Sequence, residues 1–218
     1  MTLVHDWPLF GLRIDASPLT LRVPDDGDLG ALCQLALAGI HPPETMPFSV
    51  PWTDLASPQF ERSFLQHHWR GRADFAQKTF DLHFVVMVDG EIVGLQSLHR
   101  RGSAPSEMQL RFETGSWLGL AHQRRGIGKV MRAAVVAFAF EYLRADVITS
   151  GAFVDNVASQ RVSIAAGYEL VRTDTILRRN VSAPHLFYEL TRHRWERTRA
   201  DDGIVVTGWD ECRSMFAL

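Results

Sequence analysis

A mixed α/β layer fold is the prediction for this 218-residue chain, and three observations carry it. Short alternating apolar runs interleave with runs of helical spacing, and Asp89-Gly90 separates two apolar segments as a hairpin turn would. No segment repeats. The order expected is β-α-α-β-β-β-α-β-α-β-β, one central sheet covered by helices.

The first strand is Leu19 to Val23, where apolar and polar residues alternate. Asp25, Asp26 and Asp28 then offer caps for a helix carrying Leu29, Leu32, Leu35 and Ala36. Prolines 42, 43, 47, 51 and 58 forbid regular helix from Gly39 to Pro58, yet Met46, Phe48, Val50 and Trp52 are too apolar for a free linker. A packed loop is expected there. A second helix is expected from Pro58 to Arg70, with Phe60, Phe64 and Leu65 on one side. His83–Val88 and Glu91–Leu98 form the hairpin. After a polar loop from Arg100 to Ser106, Met108 to Leu120 is the third long strand, with Gly115 and Gly119 marking a bulge or a close backbone approach.

Ile127, Val130, Met131, Ala134, Val135, Phe138 and Tyr142 share one helical face. Ala145 to Val154 is a strand, and Asp155-Asn156 caps a helix that stops at Gly167. Tyr168 to Leu177 and Pro184 to Leu190 complete a β-rich end.

Composition narrows the function class. With 46% hydrophobic and 22% charged residues, disorder and collagen-like repetition are excluded. Cys33 and Cys212 are too few for a metal quartet and point to free thiols in a reducing compartment. The net charge is −2, and of 23 basic residues only Lys78 and Lys129 are lysines. Delocalised nucleic-acid binding needs a broad basic surface, which this balance does not supply. No basic segment precedes an apolar stretch at the start, so a cytoplasmic protein is expected. The most apolar window, Val130 to Phe140, is interrupted by Arg132 and is half the length of a membrane span.

The segment with chemical content is Gln123-Arg124-Arg125-Gly126-Ile127-Gly128-Lys129, between a strand and a helix. Glycines let consecutive N–H groups turn toward one point, and a helix N-terminus adds its positive dipole end, an arrangement suited to pyrophosphate.

This loop resembles that of the GNAT acyltransferase superfamily, Gln/Arg-x-x-Gly-x-Gly/Ala. The stretch Asp155-Asn-Val-Ala-Ser159 through Gly167-Tyr168 is similar to the Asn-x-x-Ser helix of the branch containing the bacterial ribosomal-protein N-terminal acetyltransferases. The ending Phe187 to Trp195 fits that branch as well. The resemblance implies a sheet of about six to seven strands with helices on both faces and a V-shaped opening between central strands. It implies acyl-CoA as co-substrate and a primary amine as acceptor.

By the same resemblance, Gln123, Arg124, Arg125, Gly126, Ile127, Gly128 and Lys129 hold the CoA pyrophosphate. The backbone of Trp117, Leu118 and Leu120 pairs with the pantetheine arm, and Asn156 binds it from the other side. Ser163 stands where many members have a tyrosine acid, so Ser159 becomes the candidate acid and Glu113 the candidate base. Arg178 stands where the ribosomal branch has a glutamate. A guanidinium there suits a donor bearing a carboxylate, such as succinyl-CoA rather than acetyl-CoA.

No metal site is expected, because His67 and His68 point about 100° apart on a helix and lack an acidic partner. Residues 1–18 are expected to be an N-terminal extension and 19–195 the acyltransferase domain. Residues 196–218 are expected to be a C-terminal extension packed on the sheet or at a homo-oligomer interface. Two competing functions remain: an acyl-CoA-binding module without catalysis, and a ribosome- or nucleic-acid-associated binder using Arg192 to Arg199.

Overall fold

Among the described residues, nine strands share one sheet in the order β7-β8-β6-β5-β4-β3-β2-β1-β9. The structure, a computed structural model, describes residues 3–101, 109–199 and 203–216. Its strands are β1 (Arg13–Ala16), β2 (Leu19–Arg22), β3 (Phe80–Val88), β4 (Glu91–Arg100), β5 (Arg111–Leu118), β6 (Val147–Phe153), β7 (Glu169–Arg178), β8 (Val181–Thr191) and β9 (Val205–Thr207). The helices are α1 (Asp26–Leu37), α2 (Gln59–Ala73), α3 (Ile127–Glu141), α4 (Val157–Ala165), α5 (Arg192–Thr198) and the single turn α6 (Trp209–Cys212).

Nine strands correct the six to seven expected. The two additions are β1 and β9, which pair with each other, Ile14 facing Val206, at the β2 edge. Four and three residues are too short for alternation to stand out. Leu9, Leu12 and Ile14 are fully buried here, with Cys212 and Phe216 closing the same core. Met108 and most of the polar loop lie outside the described residues, and the third long strand starts at Arg111.

Local chemistry explains the helices. Asp25 and Asp28 form a reciprocal capping box at α1, each side chain accepting from the other's N–H at 2.9 Å. Asn156 Oδ1 accepts from Ser159 N at 3.2 Å and starts α4. At the hairpin, Asp89 and Gly90 have φ of 49° and 82°, the left-handed values a two-residue turn of this kind requires. Two arginines of α5 turn inward, Arg192 donating to Phe140 O and Arg194 to Gly167 O, while Arg197 stays exposed.

Two apolar layers sandwich the sheet. Beneath it, α3 buries Met131, Ala134, Val135 and Phe138 against β1 to β5. Above it, α1, α2 and the proline-rich loop enclose Leu29, Leu32, Phe60, Phe64, Val85 and Leu95. No helix among the described residues is long and apolar enough to cross a membrane.

Candidate active site

The sheet opens at its centre. Strands β5 and β6 are parallel neighbours, but only Arg111, Phe112 and Glu113 have partners, Val147, Ile148 and Thr149. Beyond Glu113 the two strands diverge, β5 staying with β4 through Leu118 and β6 staying with β8 through Phe153. A V-shaped gap lined by main chain results.

Ladder register decides which groups face the gap. Gly119 N bonds Val93 O at 3.0 Å, continuing the β4–β5 register in which Leu95 faces Trp117. In an antiparallel pair, bonded and non-bonded residues alternate, so the N–H and C=O of Trp117 point to β4, and those of Ser116 and Leu118 point to the gap. This corrects the expectation for Trp117, whose ring instead packs 6.1 Å from Trp52. Leu120 is corrected too. It lies in a 3-10 turn, its N–H bonded to Gly39 O and its C=O accepting from Gln123 N. Ser116 was missed because alternation has two phases and only the register selects one.

At the mouth of the gap the loop turns into α3. Gly126 caps the helix with φ 84° and Arg124 has φ 60°. A side chain at Gly126 would be strained in that region. No side chain caps α3, so the N–H groups of Ile127 and Gly128 are free, while Lys129 N bonds Gly126 O at 3.0 Å. Gly128 has a second reason, because a Cβ there would sit 3.2 Å from Val162 Cγ2 of α4. Gln123 braces the loop rather than facing a ligand with its amide: its Nε2 donates to Ile40 O at 2.7 Å and Leu118 O at 2.9 Å.

Residues 18–169 match the acetyltransferase (GNAT) domain. The chain belongs to the GNAT acetyltransferase family. Solved structures share the fold at low identity. Mycobacterium smegmatis RimJ in complex with CoA-disulfide has a TM-score of 0.67 at 18% identity, covering 94% of this chain and 92% of that one. RimL, a ribosomal L7/L12 alpha-N-protein acetyltransferase in complex with CoA, gives 0.63 at 15%, covering 82% and 97%. A GNAT-family acetyltransferase from Bacillus anthracis gives 0.64 at 16%, covering 83% and 99%.

Around the opening of this GNAT sheet, two hydroxyl residues and an arginine tie the diverging strands from below. Arg132 of α3 is 2% exposed; it donates to Ser150 Oγ at 2.9 Å and Ser116 Oγ at 3.0 Å, and its Nε has no partner. A buried cation without a carboxylate among the described residues is costly and marks the place electrostatically. Ser163, fully buried, lies 3.4 Å from Ser150 Oγ. Tyr168 is also beneath the sheet, its hydroxyl 3.0 Å from Thr114 Oγ1, and burial raises its pKa above the ordinary tyrosine value.

Above the sheet, Glu113 is exposed and faces His99 across the β4–β5 ladder. The expected bulge at Gly115 is absent, since the register from Glu113 to Leu118 is unbroken. Glycine instead allows a close approach, with Ser97 Oγ 2.9 Å from where a Cβ would be. Burial lowers the pKa of His185, with Glu113 near enough to oppose that shift. Asn156 and Ser159 sit at the start of α4 on the far side of the gap.

Arg178 does not stand open. Its Nη1 meets both oxygens of Asp155 at 2.7 and 2.8 Å, and its guanidinium covers the Phe153 ring at 4.5 Å. Beside it, Arg179 pairs with Asp54 at 2.6 Å. The proline-rich loop thereby forms an arch from Gly39, whose C=O holds Leu120 N–H, to the β7–β8 hairpin, with its own Met46 buried.

Proposed function

We propose that this protein transfers an acyl group from acyl-CoA to a primary amine by direct attack on the thioester. The observation that supports it best is the gap after Glu113, lined by the main-chain N–H and C=O of Ser116 and the N–H of Leu118 and leading to the uncapped N-terminus of α3. Pantetheine carries amides that pair with an open strand edge, and pyrophosphate suits the N–H groups of Arg125, Gly126, Ile127 and Gly128. Arg124 and Lys129 add charge, and Asn156 retains its amide N–H groups after capping α4.

In this reading Glu113 draws the first proton, from the ammonium form of the amine before attack, and Ser159 supplies a hydroxyl near the leaving sulfur. The charge of Arg132, held under the gap, favours the departing thiolate where the family has a tyrosine and this chain has Ser163. Acetyl-CoA is the first donor to test. Succinyl-CoA is the second, because Arg178 lies beside the gap and a carboxylate competing with exposed Asp155 would find a fork already oriented by the Phe153 ring. A protein α-amine is the first acceptor class, by analogy with the activity in RimL's name.

The test pairs binding with turnover: thermal stability with CoA, acetyl-CoA and succinyl-CoA, then amine-dependent release of free thiol. A ligand at 100 times Kd adds about 2.7 kcal/mol, a midpoint rise of roughly 5 to 10 °C. Stabilisation without thiol release would leave a binding module only. Stabilisation by none of the three would remove the acyl-CoA reading. Arg178→Ala with donor preference unchanged would remove the succinyl reading alone.

A further inference from the structure

Asp81 of β3 and the β4 neighbours Ser97 and His99 meet on the upper face of the sheet in a hydrogen-bonded line. Ser97 Oγ is 2.8 Å from His99 Nε2, and His99 Nδ1 is 2.6 Å from Asp81 Oδ1. Ser97 Oγ is also 3.0 Å from Gly115 O. Gly115 lies two residues past Glu113, where the strands begin to part. A Cβ at Gly115 would stand 2.9 Å from Ser97 Oγ and 3.8 Å from His99 Nε2, so glycine places no side chain against these two atoms, Ser97 itself being 5% exposed.

The geometry serves two protonation states equally. An ionised Asp81 only accepts, so His99 Nδ1 carries a hydrogen in both. In the first state the Ser97 hydroxyl donates to His99 Nε2. In the second, His99 Nε2–H donates to Ser97 Oγ, and the Ser97 hydroxyl turns to Gly115 O. No heavy atom has to move between them. The line also has an outlet, because the side chains of His99 and Asp81 are 17% and 23% exposed and Asp81 meets exposed Arg101 at 2.7 Å.

We propose that Ser97 and His99 relay the acceptor's proton out of the site, with Asp81 positioning the His99 ring. The proposal rests on the N-acyltransferase reading and deepens it. As the amine nitrogen bonds to the acyl carbon, its surplus proton passes to Ser97 Oγ, and the Ser97 proton passes to His99 Nε2. The C–S bond breaks with its electron pair on the CoA sulfur, which is protonated by solvent, and His99 returns its proton to solvent beside Asp81. The charged and titratable groups facing His99 are Asp81 and His83 of β3, Glu113 of β5, Arg101 after β4, and His67 of α2. The hydrogen bond from His99 holds Asp81 below the usual carboxylate range, so it stays ionised through the working range.

The experiment measures kcat/KM for amine-dependent thiol release against pH in the full chain and in His99→Gln, Ser97→Ala and Asp81→Asn, with the acetyl-CoA thermal shift as the binding control. The expected result for His99→Gln is a fall of about 100-fold in kcat, with the acid-side slope of log kcat/KM dropping from two protons to one. The remaining proton is that of the acceptor amine. Asp81→Asn removes the acceptor that fixes the His99 ring and tautomer, so kcat falls and the donor KM stays that of the parent. Stabilisation by acetyl-CoA is unchanged in all three. Should His99→Gln fail to fold, Ser97→Ala and Asp81→Asn carry the same readouts. Variants that keep the parent profile and kcat would overturn the relay while leaving the transferase reading intact. A parent protein that binds acetyl-CoA yet releases no thiol would overturn the transferase reading and the relay with it.

Discussion

The lower and upper sides of the gap are built from different materials. Below and at the mouth, the side proposed for the donor is main chain from one short stretch, Gln123 to Lys129, plus the open edge of β5. Above, the side proposed for the acceptor is side chains, with Asp81 and His83 from β3, Ser97 and His99 from β4 and Glu113 from β5. Histidines of α2 cover them, His68 Nδ1 lying 2.9 Å from His83 Nδ1. Backbone recognition tolerates almost any side chain provided the turn geometry is kept. Side-chain recognition depends on register, rotamer and protonation, and so it is the part that differs between relatives with one fold.

The difference is broken most directly at Gly126. Gly126→Val forces a β-branched residue to φ 84°, costing up to about 3 kcal/mol, or 100-fold in acyl-CoA affinity. Calorimetric titration with acetyl-CoA should show that loss, with kcat at saturating donor within a few-fold of the parent. Unchanged affinity would mean the donor side does not depend on the turn.

Acid should separate the sides next. Burial pushes His68 down to about 3 and His83 well below its ordinary value. The unfolded chain therefore binds more protons than the folded one below about pH 6.5, so stability falls as pH falls through that window, by about 1.4 kcal/mol per unit for each histidine. Urea midpoints from pH 7 to 4 should show this slope, reduced by one proton in His68→Leu. No comparable histidine pair lies on the donor side among the described residues. An equal slope in the variant would refute the assignment.

Gln123→Leu tests the brace between them. It leaves Ile40 O and Leu118 O without their donors, a destabilisation of about 1.5 kcal/mol by urea unfolding, with weaker acetyl-CoA binding because Leu118 borders the gap. The smallest effect belongs to the arch. Arg179→Ala removes an exposed pair with Asp54 and should leave the urea midpoint close to that of the parent, but should raise the acceptor KM about 3-fold and leave acyl-CoA affinity alone.

These contrasts also explain what the sequence disclosed. The turn from Gln123 into α3 is legible because turn, glycines and helix start are adjacent in the chain, and the same holds for the Asn156 cap and the Asp89-Gly90 hairpin. The open edge of β5 was assigned to Trp117 and Leu120 rather than Ser116 because a strand read alone does not say which alternate residues have partners. Arg132 looked like a polar interruption of an apolar helix, and only the parting of β5 and β6 above it shows why a cation is buried there. The Ser97–His99–Asp81 line was invisible for a related reason. Its members are brought together by the β3–β4 register, Asp81 facing His99, and the nine histidines carry no spacing that singles out these.

The three-pair contact between β5 and β6 has a further consequence, for exchange with solvent. Central strands of a sheet normally hold the slowest-exchanging amides, because only global unfolding frees them. Here the N–H groups of Ser116 and Leu118 stand on an edge that lies in the middle of the sheet. In deuterated water they should exchange quickly while Leu95 and Trp117, one residue away in the ladder, exchange slowly. The β4–β5 pair thus carries its own two-beat label, a comb of fast and slow amides that any chain filling the gap would erase.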